Sequence, residues 1–369
     1  MVQAAAPSRT VRVAAVGRLH LGFLDPAATL GRRFGSLGLM VEGAATEVVL
    51  APPPGAADRF TADGAAGEAE LPRAMAHIQS LRARTGLPAP LHLHLAHVLP
   101  AHAGLGSGTQ LALAVGRAFA RWHRIALPTA TLAHGLGRGL RSGIGIAGFD
   151  EGGLLLDGGP GADGTPAPVL ARLAVPPEWR VLLVQDPTRR GLSGSEERAA
   201  LARLAPLGRA QAADICHQVL MQVLPGVAGR DFAAFANGVS QMQQVLGAHF
   251  APAQDGEPYT SAAVGNLMRW LAAHTPGLIG APVGIGQSSW GPTAFAVLPS
   301  ALAAHTVVQA ALAAEAAAPH LRLDVVAVRN QGAQVADSDQ PAAATPLRHA
   351  SADSLWRWAQ PGPSVWRTH

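Results

Sequence analysis

The chain has 369 residues, of which 49% are apolar, so it is long enough for two domains with folded cores. One cysteine excludes an intramolecular disulfide, and because the chain contains no lysine, all 28 basic residues are arginines. The formal net charge is +4 and the arginines are scattered, which argues against a nucleic-acid-binding surface. No apolar run is long enough to span a membrane and the N-terminus lacks a signal-peptide pattern, so we expect a cytoplasmic protein.

The first half of the chain contains both strand and helix patterns. Strands are predicted at 9–16, 46–50 and 91–98, and helices at 69–84, 109–123 and 129–139. Residues 142–159 are predicted to form two short strands joined by turns, because glycines punctuate their apolar runs. The Pro/Gly-rich stretch 158–168 is the predicted boundary between two domains.

The second half has longer helical patterns. Strands are predicted at 179–186, 293–298 and 322–328, and helices at 195–204, 210–224, 231–247, 260–273 and 300–317. Strands and helices are mixed without a regular alternation, which favours an α+β fold over a doubly wound sheet. The predicted domains are residues 1–160 and 169–328, followed by an irregular tail over 329–369.

Three glycine-rich segments are candidates for binding an anion. The segment "PAHAGLGSGTQ" (100–110) follows an alternating strand and leads into a helix, which is the context that a phosphate-binding helix N-terminus requires. A tight turn that needs glycine only for its backbone conformation is the alternative. "GIGIAG" (143–148) matches a dinucleotide-binding pattern by letter, but the residues after it predict a turn and a strand rather than a helix.

The third segment, "PVGIGQSSWGPTAF" (282–295), places glycines beside two hydroxyls and an amide ahead of a strand. Such a composition is typical of backbone that approaches a ligand, although a hairpin turn alone also explains it. A Walker A loop is excluded, because that loop requires a lysine and the chain has none. A bound phosphate must therefore be held by arginine, main-chain amides, hydroxyls or a metal.

Taken together, these segments resemble the motifs of the GHMP superfamily of galactokinases, homoserine kinases, mevalonate kinases and phosphomevalonate kinases. "PAHAGLGSGTQ" resembles the second motif, "GRLHLGFLD" (17–25) the first, and "GIGQSSWGPTAF" (284–295) stands in the place of the third. The resemblance covers residues 9–328. It implies a GHMP kinase-like fold, with an N-terminal ribosomal-S5-like domain and a C-terminal ferredoxin-like α/β domain.

One branch of that superfamily matches more closely. Segments similar to β-ribofuranosylaminobenzene 5′-phosphate synthases are "RLHLGFLD" (18–25), "GRRFGSLGL" (31–39), "GLGSGTQLALA" (104–114), "RSGIGIAGFDEGGLLLDGG" (141–159), "RRGLSGSEE" (189–197) and "GQSSWGPTAF" (286–295). The resemblance implies that phosphoribosyl diphosphate reacts with 4-aminobenzoate, or with 4-hydroxybenzoate, and that carbon dioxide and diphosphate leave. It also implies Mg²⁺ as cofactor and a homodimer.

The resemblance also assigns candidate site residues. The catalytic candidates are Asp25, Arg32 and Arg141, and Asp25 is the leading candidate for the metal. The candidates for binding phosphate or substrate are Arg18, His20, Gly104, Leu105, Gly106, Ser107, Gly108, Thr109, Arg190, Gly286, Gln287, Ser288, Ser289 and Trp290. Trp290 is expected either to stack on the aromatic substrate or to pack in the core.

Two other functions are open at this point. An ATP-dependent kinase for a small molecule would share the fold and the phosphate loop, although the Gln287–Trp290 stretch departs from the glycine and alanine of the kinases. A non-catalytic ligand-binding protein on the same fold would bind without turnover.

Overall fold

The computed structural model describes residues 9–29, 31–163, 165–191, 199–200 and 202–338. The strands are β1 (Thr10–Asp25), β2 (Phe34–Ala51), β3 (Arg59–Ala62), β4 (His92–His97), β5 (Leu154–Asp157), β6 (Val169–Leu173), β7 (Arg180–Gln185), β8 (Gly284–Gln287), β9 (Thr293–Leu298), β10 (Arg322–Ala327) and β11 (Gln334–Ser338). The helices are α1 (Gly64–Thr85), α2 (Ser107–Trp122), α3 (Thr129–Gly135), α4 (Ile144–Glu151), α5 (Arg209–Gln218), α6 (Leu224–Ala228), α7 (Phe232–Phe250), α8 (Ala262–Ile279) and α9 (Ala301–Ala313). A π-helical turn, Val219–Val223, joins α5 to α6.

Two sheets organise these elements. The first has seven strands, with β11-β1-β2-β4-β3 in order and β5 pairing with both β2 and β6. The second has four antiparallel strands in the order β10-β7-β9-β8. Most pairings join distant parts of the chain and helices cover the sheets, so the predicted α+β class is confirmed. In the described part of the chain, every helix is too short or too polar to cross a membrane.

The described apolar residues form three large clusters and a small fourth one around Met40. Leu113 and Phe119 of α2 pack with Ile78 of α1 against the strands of the first sheet. A second cluster joins the sheets, because Leu19 of β1 belongs to it together with Phe235 of α7. The inner half of β1 therefore lies between the two layers of the molecule, where side chains from both can reach it.

The helix α4 corrects one prediction. Residues 142–159 do not form two strands, because Ile144–Glu151 is helical and only Leu154–Asp157 is a strand. The glycines were interpreted as turn signals, but Gly148 is a packing position, where a Cβ would lie 2.3 Å from Sδ of Met40. Asp157 accepts the Gly143 N–H at 2.7 Å and thereby stabilises the start of the helix.

Four strands were not predicted, namely β3, β6, β8 and β11. The prediction of an irregular tail over 329–369 is wrong for 334–338, which form β11 and pair antiparallel with β1. The rest of that segment, from residue 339 onward, lies outside the described residues. Strand β6 pairs with β5, so hydrogen bonds of the first sheet continue past the predicted boundary at 158–168. The division into domains at that point stays a prediction.

The other predicted elements correspond to observed ones with shifted ends, apart from the helix at 195–204. Most of its residues lie outside the described part of the chain.

Candidate active site

The three motifs that the sequence singled out meet at one buried hydroxyl. The main-chain N–H of His20 donates to Oγ of Ser288 at 2.9 Å, and that hydroxyl donates to the carbonyl of Gly104 at 2.7 Å. Beside them, the N–H of Arg18 donates to the carbonyl of Leu105 at 3.0 Å. Ser288 is fully buried and is bonded on both sides to main chain. It therefore holds the loop to the strand rather than facing a ligand.

The glycines of the loop permit this close approach. Gly104 has φ +84°, and a Cβ on it would lie 2.5 Å from the carbonyl oxygen of Ser288. Gly191 also packs here, because its N–H donates to the carbonyl of His102 at 3.2 Å. The exposed Arg190 therefore belongs to a segment that reaches the loop, although the residues that follow Gly191 lie outside the described part.

The helix α2 starts at the end of this loop. Gly106, with φ +74°, is its N-cap, and the carbonyl of Gly106 accepts the N–H groups of Thr109 and Gln110 at 3.0 and 3.1 Å. The N–H groups of Ser107 and Gly108 precede the first intrahelical bond, and so they point out of the helix end. Together with the helix dipole they give this end a positive potential that suits an anion. The side chain of Leu105 instead lies in the core.

Four arginines surround this helix end. A Cβ on Gly106 would lie 3.0 Å from Cγ of Arg18, so that side chain crosses the loop. A Cβ on Gly108 would lie 2.6 Å from Nη2 of Arg73 and 3.3 Å from Nη1 of Arg138. We add Arg141 as the fourth, because its charge, like that of Arg18, acts on the neighbouring His20. We refer to the first turn of α2 with Arg18, Arg73, Arg138 and Arg141 as the arginine cradle.

The charges of the cradle perturb their neighbours. Burial and the nearby Arg73 lower the pKa of Arg138, and Glu70 opposes this shift. Glu70 is itself engaged by Arg73, whose Nη1 donates to both carboxylate oxygens at 3.0 and 2.8 Å. Burial, Arg138 and Arg73 together lower the pKa of His77 to about 4. Crowded cations of this kind are stabilised when a polyanion binds among them.

His20 lies beside the cradle and is neutral. Burial lowers its pKa well below the ordinary value, and the positive charges of Arg18 and Arg141 lower it further. The imidazole is 3% exposed, and its ring packs edge-on against Phe23 with 4.5 Å between centroids. An uncharged imidazole contributes hydrogen bonding to this site without adding to its charge.

A β-bulge sets which side chains of β1 share this face. The pairing with β2 shifts register between His20 and Gly22, so Leu21 is an extra residue. Side chains normally alternate along a strand, but the bulge brings Phe23 to the same face as His20, consistent with their ring contact. Asp25 follows on that face at the end of the strand.

Asp25 and Arg32 do not reach the cradle. Seven residues of strand, roughly 20 Å, separate Asp25 from Arg18. The carboxylate of Asp25 is 4% exposed and accepts hydrogen bonds from the Ala27 N–H at 3.1 Å and from Oγ1 of Thr29 at 2.9 Å. Arg32 donates to the carbonyl of Gly159 at 3.2 and 3.1 Å. Gly159 and Gly143 both donate main-chain N–H groups to Asp157, so the partner of Arg32 lies close to the segment that follows Arg141. The sequence predicted Asp25, Arg32 and Arg141 for one site, which stays a prediction.

The residues of the cradle do not fit a magnesium site. Magnesium takes oxygen ligands, chiefly carboxylates and water. Among the described residues, no group of three His, Cys, Asp or Glu side chains is placed to hold a metal ion. The acidic side chain at the cradle, Glu70, is already paired with Arg73. The role of Asp25 as a metal ligand therefore stays a prediction, and no group of the described residues supplies two further ligands beside it.

A small cavity lies on the other side of His20. Its volume is about 30 Å³. Its walls are formed by His20, Gly22, Phe23, Gln243, Leu246, Gly247, Phe250, Gln254, Pro258, Gln287, Ser289 and Trp290. We refer to it as the aromatic cavity, because Trp290 and Phe250 pack against each other in its wall with 4.8 Å between centroids.

The third motif builds this cavity. Gly286 lets Gln243 approach, since a Cβ on Gly286 would lie 2.3 Å from Cδ of Gln243. Trp290 is 2% exposed and forms wall rather than open surface. Ser289 adopts φ +55°, a left-handed conformation uncommon outside glycine, and its N–H donates to the carbonyl of His20 at 3.3 Å. Such local strain is frequent at functional sites.

Sequence reasoning missed Arg73, Arg138 and the cavity residues of α7. Arg73 and Arg138 lie in no recognised motif, and helix packing brings them to the loop. The available signal was Gly108, a glycine in the first turn of a helix, where arginine side chains take the space of a Cβ.

Comparisons with known proteins agree with this architecture. Residues 72–152 match the family described as the GHMP kinases N terminal domain. A beta-ribofuranosylphenol 5'-phosphate synthase from Archaeoglobus fulgidus is 32% identical over 302 residues, which cover 79% of this chain and 88% of that protein. The protein of the same name from Methanothermobacter thermautotrophicus is 29% identical over 294 residues, 76% of this chain and 86% of that one.

Solved structures share the fold at low identity. Homoserine kinase from Cytophaga hutchinsonii is 19% identical with a TM-score of 0.60, covering 91% of this chain and 99% of that one. Phosphomevalonate kinase from Streptococcus pneumoniae is 13% identical with a TM-score of 0.62, covering 87% and 99%. These similarities confirm the predicted GHMP kinase-like fold.

Proposed function

The chain belongs to the family of the β-ribofuranosylphenol 5′-phosphate synthases, which are glycosyltransferase-type enzymes, and from that premise we propose that it joins a phosphoribosyl group to an aromatic ring. The substrates are phosphoribosyl diphosphate and a benzoate with a hydroxyl or amino group at position 4. The name of the relatives gives their product as a phenol, so 4-hydroxybenzoate stands beside 4-aminobenzoate as the candidate acceptor.

In the proposed reaction one bond breaks in each substrate, and a new C–C bond joins the two substrates. The bond between the anomeric carbon of the ribose and the diphosphate oxygen breaks, and its electron pair leaves with diphosphate. The ring carbon that carries the carboxylate attacks the anomeric carbon and forms the C–C bond. The bond to the carboxylate then breaks, its electron pair restores the aromatic ring, and carbon dioxide leaves.

The observation that carries this proposal is the position of the arginine cradle next to a neutral, aromatic-walled cavity along one face of β1. The cradle would bind the phosphates through Arg18, Arg141 and the N–H groups that start α2. Fixed positive charge stabilises the diphosphate as it leaves, which is the largest electrostatic demand of the reaction. Holding the ring over the anomeric carbon supplies the remaining requirement, proximity.

Magnesium enters this proposal only as a partner of the substrate. Phosphate oxygens and water are ordinary ligands of Mg²⁺, and the cradle offers no carboxylate set for it. We assign no step to the ion. Measuring carbon dioxide release against Mg²⁺ concentration, in the wild type and in Asp25→Asn, tests whether Asp25 contributes to its binding.

The test of the proposed function uses the purified full chain. It is incubated with phosphoribosyl diphosphate and carboxyl-labelled 4-hydroxybenzoate or 4-aminobenzoate, and labelled carbon dioxide is collected. We expect release that requires both substrates and falls in Arg138→Ala. Turnover of ATP with an alcohol and no release from either benzoate would instead indicate a kinase. Binding of both substrates without any release would indicate a ligand-binding protein.

A cytoplasmic location and a homodimer stay predictions. Light scattering of the purified chain at several concentrations measures the oligomeric state directly.

A further inference from the structure

The polar groups of the aromatic cavity are nearly all satisfied by one another. Gln287 donates from Nε2 to Oε1 of Gln254 at 2.8 Å, and its own Oε1 accepts the N–H of Thr260 at 2.7 Å. Gln254 donates from Nε2 to the carbonyls of Glu257 and Pro258, both at 3.2 Å. The side chains of these glutamines are therefore held at both ends, and their N–H donors are all used within the protein.

Gln243 is held in the same way. Its Oε1 accepts the N–H of Gln287 at 2.9 Å, and its Nε2 donates to the carbonyls of Leu21 and Gln287. The cavity thus has three amide side chains in its wall, and all three act as supports for main chain.

His20 is the exception. Its Nε2 is buried, and within the part of the chain that the structure describes it has no hydrogen-bond partner. A buried polar atom of this kind costs free energy unless something bonds to it. The imidazole is neutral, because burial and the charges of Arg18 and Arg141 lower its pKa. The main chain of His20 itself acts on the pKa in the opposite direction, in favour of a proton on the ring. We assign that proton to Nδ1, because Nε2 has no partner, and Nε2 then keeps a lone pair.

His20 lines the aromatic cavity, which is small and walled largely by apolar side chains such as Phe23 and Trp290. A volume of about 30 Å³ holds one or two non-hydrogen atoms rather than a ring. Besides the glutamines, its polar lining residues are His20 and Ser289. The cavity therefore suits a single donor group, such as a hydroxyl or an amine, carried on a flat apolar body that remains outside it.

We propose that Nε2 of His20 accepts a hydrogen bond from the 4-hydroxyl or 4-amino group of the benzoate, and that this group enters the aromatic cavity while the ring remains outside it. This inference rests on the proposed function and adds to it the residue that recognises the benzoate. It also assigns His20 to the ring rather than to the phosphates, although it lies next to two arginines of the cradle.

The hydrogen bond has a chemical consequence as well as a binding one. A donor group whose hydrogen is shared with a lone pair releases more electron density into its ring. The carbon opposite position 4 is the one that carries the carboxylate and attacks the ribose. A hydrogen bond accepted by His20 therefore makes the reacting carbon more nucleophilic. A protonated imidazole could not accept this bond, and the positive charges of Arg18 and Arg141 disfavour its protonation.

The test compares two benzoates that differ only in the ability to donate. Isothermal titration calorimetry measures the affinity of 4-hydroxybenzoate and of the nearly isosteric 4-fluorobenzoate in the presence of diphosphate. The proteins are the wild type, His20→Leu, His20→Gln and, as control, His134→Leu at an exposed position of α3. We expect the wild type to prefer the hydroxyl compound about two- to tenfold. His20→Leu should lose the preference, and His20→Gln should restore part of it because its amide oxygen accepts.

The outcomes separate the inference from the function beneath it. If the wild type binds both benzoates equally, or if His20→Leu keeps the preference, the inference is wrong while the proposed function stands. If diphosphate affinity falls in His20→Leu with the preference unchanged, His20 serves the phosphates. If neither benzoate binds and no carbon dioxide is released, the proposed function fails and the inference with it. Should His20→Leu fail to fold, His20→Gln decides the point, because an unchanged preference in that variant would contradict the inference.

Discussion

The arginine cradle and the aromatic cavity lie against the same strand but differ in charge, because the first is lined by cations and the second by neutral side chains. The cradle gathers four cations, and Glu70 pairs with one of them, Arg73. The cavity has neutral walls, and its three glutamines are bonded at both ends. The cradle therefore recognises a ligand by charge, and the cavity recognises one by shape and a single hydrogen bond.

The junction between the two regions should be the most sensitive position. Gly104→Ala places a Cβ 2.5 Å from the carbonyl of Ser288 at φ +84°, so backbone must move. We expect about 3 kcal/mol or more of lost stability and no diphosphate binding, measured by thermal unfolding and calorimetry.

Gly280→Ala is the matched control for that change. Its φ is +65°, and no atom lies within 4 Å of the added Cβ. It should cost about 1–2 kcal/mol from the backbone conformation alone, with binding intact. Equal losses in the two variants would contradict the importance of the junction.

Removing one arginine of the cradle should weaken anion binding without affecting the cavity. In Arg138→Ala we expect the affinity for diphosphate to fall about 10- to 100-fold, since a charge-assisted hydrogen bond contributes about 1.5–3 kcal/mol. The dependence of affinity on salt concentration should also become shallower. Arg121→Ala, at the other end of α2, is the control and should leave the affinity unchanged. An unchanged affinity in Arg138→Ala would show that Arg138 does not contribute to binding diphosphate.

Ser288→Ala separates stability from binding. The hydroxyl makes two bonds to main chain, so its removal should cost about 1–3 kcal/mol of unfolding free energy and loosen the phosphate loop. Ser240→Ala removes an equivalent bridge, because its hydroxyl donates to the carbonyl of Val283 at 2.8 Å and accepts from Ile285 at 3.0 Å. Both variants should melt earlier, but only Ser288→Ala should bind diphosphate more weakly. Weakened binding in both would indicate a general effect of stability.

His77 reports the charge of the cradle. Its pKa of about 4 lies below that of the unfolded chain, roughly 6.5. As the pH falls from 6.5 toward 4, the unfolded chain binds a proton that the folded one refuses, so stability decreases. Solvent screening of this half-buried ring limits the loss to about 1–2 kcal/mol. His77→Gln should flatten the dependence, as measured by urea unfolding at several pH values.

The same group gives a direct measurement of ligand binding. Bound diphosphate neutralises Arg73 and Arg138, so the pKa of His77 should rise when diphosphate is present, which a proton NMR titration detects. A pKa that does not respond would show that the anion binds elsewhere.

Much of the site follows from local sequence, because its recognised parts are short segments with their own backbone requirements. Gly104 and Gly106 stand where a loop must enter a helix, and the order of the three motifs predicted that they meet. Helix α4 was missed for the opposite reason. Its glycines provide close packing against Met40, and a single sequence does not distinguish a glycine for packing from one for turning.

Long-range placement could not be predicted. Arg73 reaches the cradle because α1 packs beside α2, and no spacing in the sequence records that contact. The separation of Asp25 from Arg18 depends on β1 continuing past its predicted end at residue 16 as far as Asp25. Resemblance grouped residues that belong to one reaction but did not give the distances among them.

The bulge at Leu21 sets the spacing of the side chains along one face of β1. Arg18 and His20 are two residues apart, roughly 7 Å of extended chain, and the bulge places one additional residue between His20 and Phe23. The backbone therefore fixes the distance between the charged end and the flat end of a ligand that binds along this face. Side-chain substitutions can change how tightly a ligand is held, but accepting a longer one requires resetting the strand itself. Deleting Leu21 would remove the bulge and leave Phe23 and Asp25 on the face of His20, but each would lie one residue closer to His20 along the chain.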